Sequence, residues 1–165
     1  MRLVPGLKAL ALYLPYGWRF FVLRRADPLV YGMAVTDTCN LGCRGCRVAN
    51  SGRPQMSWVQ ILAAMQSARE RGFRELYFTG GEPMLWGEGG RTLEDAVVEA
   101  RRLGFFHVHI YTNGLLGLDT SADMLWVSMD GLPDTFELRR GTYFAEVEQA
   151  VRAHSGSPVA IIYVI

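Results

Sequence analysis

From Leu29 onward, short apolar runs alternate with longer stretches whose apolar positions recur every three or four residues. "YGMAVTD" (31–37), "ELYFTGG" (75–81), "HVHIYTNG" (107–114), "MLWVSMDG" (124–131) and "PVAIIYVI" (158–165) have the length and composition of strands. Between the first two, Trp58, Ile61, Leu62, Met65 and Ala68 share one helical face. Ser57 and Gln60 supply a capping box for that helix, and Gly72 a stop. Thr92 caps a second helix, in which Leu93, Ala96, Val97, Ala100 and Leu103 lie on one side before Gly104. Residues 142–154 form a third, with Phe144, Val147 and Val151 together.

Strands separated by helices of this length build βαβ units, hence an α/β fold with a parallel sheet of about five βα units. The polar residues with chemical potential each follow the end of a strand: Cys39, Glu82, Asn113 and Asp130. Parallel α/β folds place ligands at that end, whether closed as a barrel or open.

Residues 1–28 read as a separate apolar and basic helical segment, and 29–165 as the core. Lys8, Pro15, Gly17 and Arg19 interrupt the apolar run, so it falls short of the ~20 residues of a membrane-spanning helix. The favoured reading is a helix packed on the core. The second is peripheral contact with a membrane through residues 3–25, with Trp18, Phe20 and Phe21 at headgroup level beside Arg24 and Arg25.

The formal net charge of +1 over 165 residues gives no electrostatic case for a nucleic-acid partner. All three cysteines lie in "TDTCNLGCRGCRV" (36–48). An odd, tight cluster is no disulfide framework; it points to metal or redox chemistry in a reducing compartment such as the cytoplasm. Three readings remain. Unrelated thiols would not collect in one glycine-containing loop. Zinc needs a further ligand, and only His107, His109 and His154 offer an imidazole. An iron–sulfur cubane normally takes one cysteine per iron, so three leave one iron open to a substrate or cofactor. Arg44 and Arg47 are placed in sequence to offset a cluster's negative charge.

The spacing Cys39-x3-Cys43-x2-Cys46 after the first strand resembles the signature of the radical S-adenosylmethionine (SAM) enzymes. "TGGEP" (79–83) is similar to that family's Gly-Gly-Glu motif. "YTNG" (111–114), "VSMDG" (127–131) and "RRG" (139–141) resemble the strand ends of its peptide- and protein-maturase branch, all in family order. The resemblance implies a partial parallel (βα) barrel in which Cys39, Cys43 and Cys46 hold a 4Fe–4S cluster. It implies SAM as cofactor, reductive cleavage to a 5′-deoxyadenosyl radical, and an electron donor such as a flavodoxin or ferredoxin. Gly80 and Gly81 would allow close backbone approach, and Glu82 would accept from the methionine ammonium. Asn113, Ser128 and Asp130 would contact SAM, and Arg140 a carboxylate of SAM or substrate. The substrate is a peptide, a protein or a lipid.

Two features depart from the family. Gly45 stands where an aromatic residue is common. The chain has five strands where the family core has six units, so it is expected to be a fragment, a truncated product, or half of an assembly whose partner completes the barrel. The rival reading is a non-catalytic module that binds metal or a partner: a degenerate remnant of the family or a structural zinc protein.

Overall fold

A computed structural model describes residues 5–163. Five parallel strands form one sheet: β1 (Val30–Thr36), β2 (Glu75–Gly80), β5 (His107–Thr112), β6 (Met124–Ser128) and β7 (Val159–Ile162), in that spatial order. A small antiparallel pair, β3 (Gly87–Glu88) with β4 (Arg91–Thr92), lies between β2 and the next helix. The major strands therefore sit side by side in the order they occur along the chain. A doubly wound sheet would reverse direction at a switch point; an unreversed order is the arc of a barrel.

The helices are α1 (Pro5–Phe21), α2 (Trp58–Glu70), α3 (Leu93–Arg102), α4 (Pro133–Arg140) and α5 (Phe144–Ala153). The Ser57–Gln60 capping box forms at α2, and Thr92 with Asp95 makes another at α3. Ile61, Met65 and Ala68 of α2 and Leu93, Ala96, Val97 and Ala100 of α3 share a core with Leu76, Phe78, Val108, Ile110, Leu125 and Val127 of the sheet. Phe136 of α4 and Val147 of α5 join the same core. On the other face of the sheet, Tyr77 meets Tyr111 with ring centroids 5.0 Å apart, and Tyr111 stacks on Trp126 at 5.7 Å. That face is the arc's lumen, and its aromatics are half-buried.

The expected strands and helices all form, and each strand ends one to three residues before its apolar run does. Residues 164–165 of the last run and 1–4 of the N-terminal segment lie outside the described residues. Helix α4, the β3–β4 pair and a single 3₁₀ turn at Pro83–Leu85 are additions that periodicity did not reveal.

Two contacts fix the ends of the barrel arc. At the N-terminal ends of the strands, Tyr13 of α1 hydrogen-bonds the Glu75 carboxylate and lies 3.0 Å from His107 Nδ1. Tyr16 donates to the Gly72 carbonyl at 2.7 Å. Through these two tyrosines, helix α1 is seated on the floor of the arc. At the opposite end, Glu82 is fully buried. Its Oε1 accepts from Thr112 Oγ1 (2.9 Å) and Met84 N (3.1 Å), and its Oε2 from Asn113 N (2.8 Å). The Glu82 amide donates to Thr38 O, and the Gly81 amide to Thr36 O, each at 2.8 Å. One residue therefore ties together the ends of β1, β2 and β5.

In Glu82→Gln the side-chain amide would turn a donor toward the Asn113 N–H. This should cost about 1–3 kcal/mol, read as a lower urea midpoint. Tyr13→Phe removes the latch of α1. It should cost about 1 kcal/mol and speed proteolytic nicking between residues 22 and 29.

Candidate functional site

The cysteine loop leaves β1 through a break in its pairing with β2 between Ala34 and Thr36. It must then pass very close to β2. A Cβ on Gly80 would fall 2.1 Å from Thr36 O, and one on Gly81 2.3 Å from Asp37 O. The two glycines serve the close approach of protein to protein, and both also line the cavity described next.

Cys39, Cys43 and Cys46 converge on one cavity of about 360 Å³, shared with Gly80, Gly81, Tyr111, Thr112, Asn113, Ser128, Arg140 and Ile162. Each sulfur faces an N–H donor. Leu41 N lies 3.4 Å and Asn113 Nδ2 3.9 Å from Cys39 Sγ; Arg140 Nη1 lies 3.9 Å from Cys43 Sγ; Ala49 N lies 3.5 Å from Cys46 Sγ. Burial pushes the Cys39 and Cys43 thiols above the ordinary cysteine value, while Arg140 pulls Cys43 the other way. Three sulfurs around one cavity, each approached by a donor that favours thiolate, fit a thiolate-bound cluster.

The loop's far side is held by residues that the sequence reading passed over. Asn50 Oδ1 accepts from Cys39 N (3.0 Å), its Nδ2 donates to Cys39 O (3.2 Å), and its own amide donates to Asp37 O (2.7 Å). Asp37 Oδ2 accepts from Ser51 Oγ (3.0 Å) and Arg53 N (2.8 Å). The signal was present as turn chemistry, "NSG" at 50–52, just beyond the last cysteine.

The other expected site residues divide. Ser128 lines the cavity. Asn113 lines it too, but its side chain also holds Asn40 Oδ1 at 2.7 Å and so braces the cysteine loop. Asp130 is buried; its Oδ2 accepts from Arg140 Nε at 2.9 Å, and its Oδ1 has no partner. Glu82 is buried beside the cavity wall: its oxygens accept from Thr112, Met84 and Asn113, and it is not among the residues that line the cavity. Burial raises its carboxyl above the ordinary value against those three hydrogen bonds. Arg44 and Arg47 are exposed, and the guanidinium that lies 3.9 Å from a cysteine sulfur belongs to Arg140.

A second group of ligand-type side chains, Glu75, His107 and His109, gathers within 4.8 Å on the lumen face near α1. The Trp126 indole N–H donates to His109 Nδ1 at 3.3 Å. The proton of a neutral His109 ring then sits on Nε2, facing Glu75 Oε2 at 3.7 Å. A metal on Nε2 would have to displace that proton and turn Trp126 away. The trio is a polar latch for α1, in keeping with the sequence reading of these histidines as packed or hydrogen-bonded groups.

Residues 33–165 match the family model described as the Radical SAM superfamily. Two curated proteins illustrate the likeness. A probable GTP 3′,8-cyclase of Methanopyrus kandleri is 31% identical over 100 residues, 59% of this chain and 31% of that protein. A PqqA peptide cyclase of Xanthomonas oryzae pv. oryzae is 31% identical over 101 residues, 59% of this chain and 26% of that protein. The chain spans less than a third of these relatives' lengths. Among solved structures, native anSMEcpe with bound AdoMet and Kp18Cys peptide superposes with a TM-score of 0.64 at 23% identity, over 81% of this chain and 42% of that one. Streptococcus suis SuiB bound to precursor peptide SuiA gives 0.60 at 17%, over 96% and 38%. These two share the fold. With its cysteine triplet, its strand order and the family match over residues 33–165, the chain belongs to the radical SAM superfamily, whose members use a 4Fe–4S cluster and SAM.

Proposed function

We propose that this chain is the catalytic core of a radical SAM enzyme acting on a peptide or protein. The observation that carries the reading is the convergence of three N–H-supported cysteine sulfurs on one cavity at the C-terminal ends of the strands. Cys39, Cys43 and Cys46 would hold the 4Fe–4S cluster. When bound and reduced, it supplies the electron that splits SAM to a 5′-deoxyadenosyl radical for hydrogen abstraction from the substrate. Around it, the protein's task is to orient and to exclude water.

Each wall of the cavity has a part in that orientation. Gly80 and Gly81 present bare backbone, and Ser128 offers a hydroxyl. Arg140 is held by Asp130, so one guanidinium sits beside the Cys43 sulfur on the cavity wall, ready for a carboxylate. Asp130 itself is buried and is not among the residues that line the cavity; it acts there through Arg140. Cys46 is exposed, which leaves one side of the loop open to an electron donor such as a flavodoxin or ferredoxin. A peptide substrate is supported by the names of the relatives: a peptide cyclase, and two structures solved with peptides. Residues 1–28 are read as an accessory N-terminal segment that carries α1, and a reducing compartment such as the cytoplasm suits the free thiols.

Anaerobic reconstitution should give a brown protein with about four irons per chain that converts SAM to 5′-deoxyadenosine and methionine after dithionite reduction. A colourless protein that retains zinc and leaves SAM intact would establish the structural-zinc alternative. Cys43→Ala should lose the cluster. Arg140→Lys keeps the charge but cannot span Asp130 and Cys43 together. It should keep its iron while the KM for SAM rises roughly tenfold, about 1.4 kcal/mol.

A further inference from the structure

Helix α1 is apolar on two faces. One face, through Tyr13 and Tyr16, sits on the barrel floor. The other carries Leu10, Leu14, Trp18 and Phe21, spaced four, four and three residues apart, and these are 60–70% exposed. Phe20, Val22 and Leu23 continue the apolar surface at 51–60% exposure. At 100° per residue, the outer four fall within about 80° of arc, and their centre lies on the far side of the helix from Tyr16.

Charge separates in the same way. Residues 1–27 contain five basic side chains and one acidic, Asp27, which pairs with Arg19 and Arg25 at 2.8 Å each. The whole chain has 17 basic and 16 acidic residues, which leaves 12 basic and 15 acidic over residues 28–165, a net −3. An apolar stripe with a tryptophan, on a segment of net positive charge, matches an anionic surface that also has an apolar interior. No described helix is long and apolar enough to cross a membrane.

We propose that α1 docks this protein onto the surface of an anionic lipid bilayer, with Leu10, Leu14, Trp18 and Phe21 entering the headgroup boundary and Arg24 at phosphate level. The strands then set the orientation. Tyr13 contacts the first residues of β2 and β5, whereas the cysteine loop follows the C-terminal end of β1. Six strand residues at ~3.3 Å each separate the two levels by roughly 20 Å. The outer stripe points away from the floor, so the cysteine cavity opens toward water. Docking stands apart from the chemistry proposed above. Its consequence rests on that reading: the substrate arrives from the aqueous side, as a peptide would, and is not an acyl chain of the same leaflet.

The test is flotation of the full chain with phosphatidylcholine vesicles, with and without phosphatidylglycerol. The protein should float with the anionic vesicles and be released by salt. Trp18→Glu and Phe21→Glu should each weaken binding at least about tenfold at an unchanged thermal midpoint. Arg24→Gln should weaken it about fivefold, on anionic vesicles only. SAM cleavage by these variants in solution should stay at the wild-type rate, so a failure to float is separable from a failure of the chemistry. Absence of flotation overturns the proposal. So does sedimentation of the wild type as a dimer that Trp18→Glu makes monomeric, because the stripe would then be a contact between copies. Alkylation of Cys46 in the apo protein by a water-soluble maleimide should proceed equally fast on and off vesicles; slower labelling on vesicles overturns the orientation.

Discussion

The site rests on one buried carboxylate. Glu82 gives up its hydration entirely, which for an ionised group costs several kcal/mol unless hydrogen bonds replace the water. Those bonds come from the end of β5 and the turn after β2, while the Glu82 amide reaches the end of β1. Three strands therefore end at a common height, fixed by an interaction that fails if any one of them slips. Thr112 and Asn113 donate to Glu82 from below and line the cavity above. The geometry of the cavity wall is inherited from the clamp beneath it.

The sheet could be read from the chain because burial of one face imposes a local rule: apolar runs of strand length, separated by helices of period 3.6. Capping at Ser57 and Thr92 was legible for the same reason, since the partners lie three residues away. Helix α4 was not. It spans eight residues, holds one buried side chain, Phe136, and begins after Leu132, which makes no side-chain cap; Pro133 at its first turn was its only strong signal. Without α4, the sequence placed Arg140 near a carboxylate but not beside a sulfur, and Arg44 and Arg47 were the arginines nearest the cysteines along the chain. Spatial proximity here comes from a helix that starts some 90 residues downstream of Cys43.

Glu82 shows a different limit. Its motif was recognised, but a motif records that a residue type is wanted, not which way it points. Whether a glutamate after a strand faces a ligand or turns inward depends on donors that arrive from Thr112 and Asn113, about 30 residues away. The glycines were read as allowing close backbone approach, and the backbone that approaches them is that of Thr36 and Asp37. Both residues matter to the cavity by letting β1 deliver its cysteines there.

The electrostatics of the sulfurs close the account. Burial alone disfavours charge on Cys39 and Cys43, and both thiols are raised. N–H donors and Arg140 work in the opposite direction, and they bind strongly only to a sulfur that is anionic. These tendencies conflict in a protein whose thiols remain protonated. They agree once the cysteines ligate iron: the metal's positive charge makes a coordinated sulfur a thiolate even in a buried site. The donors would then meet the residual negative charge of the sulfurs, and the Asp130–Arg140 pair holds a guanidinium 3.9 Å from the Cys43 sulfur. The loop suits the ligated state proposed for it. The buried clamp at Glu82, the break in β1 and the bracing by Asn50 and Asn113 all serve to hold that arrangement open at the mouth of the barrel.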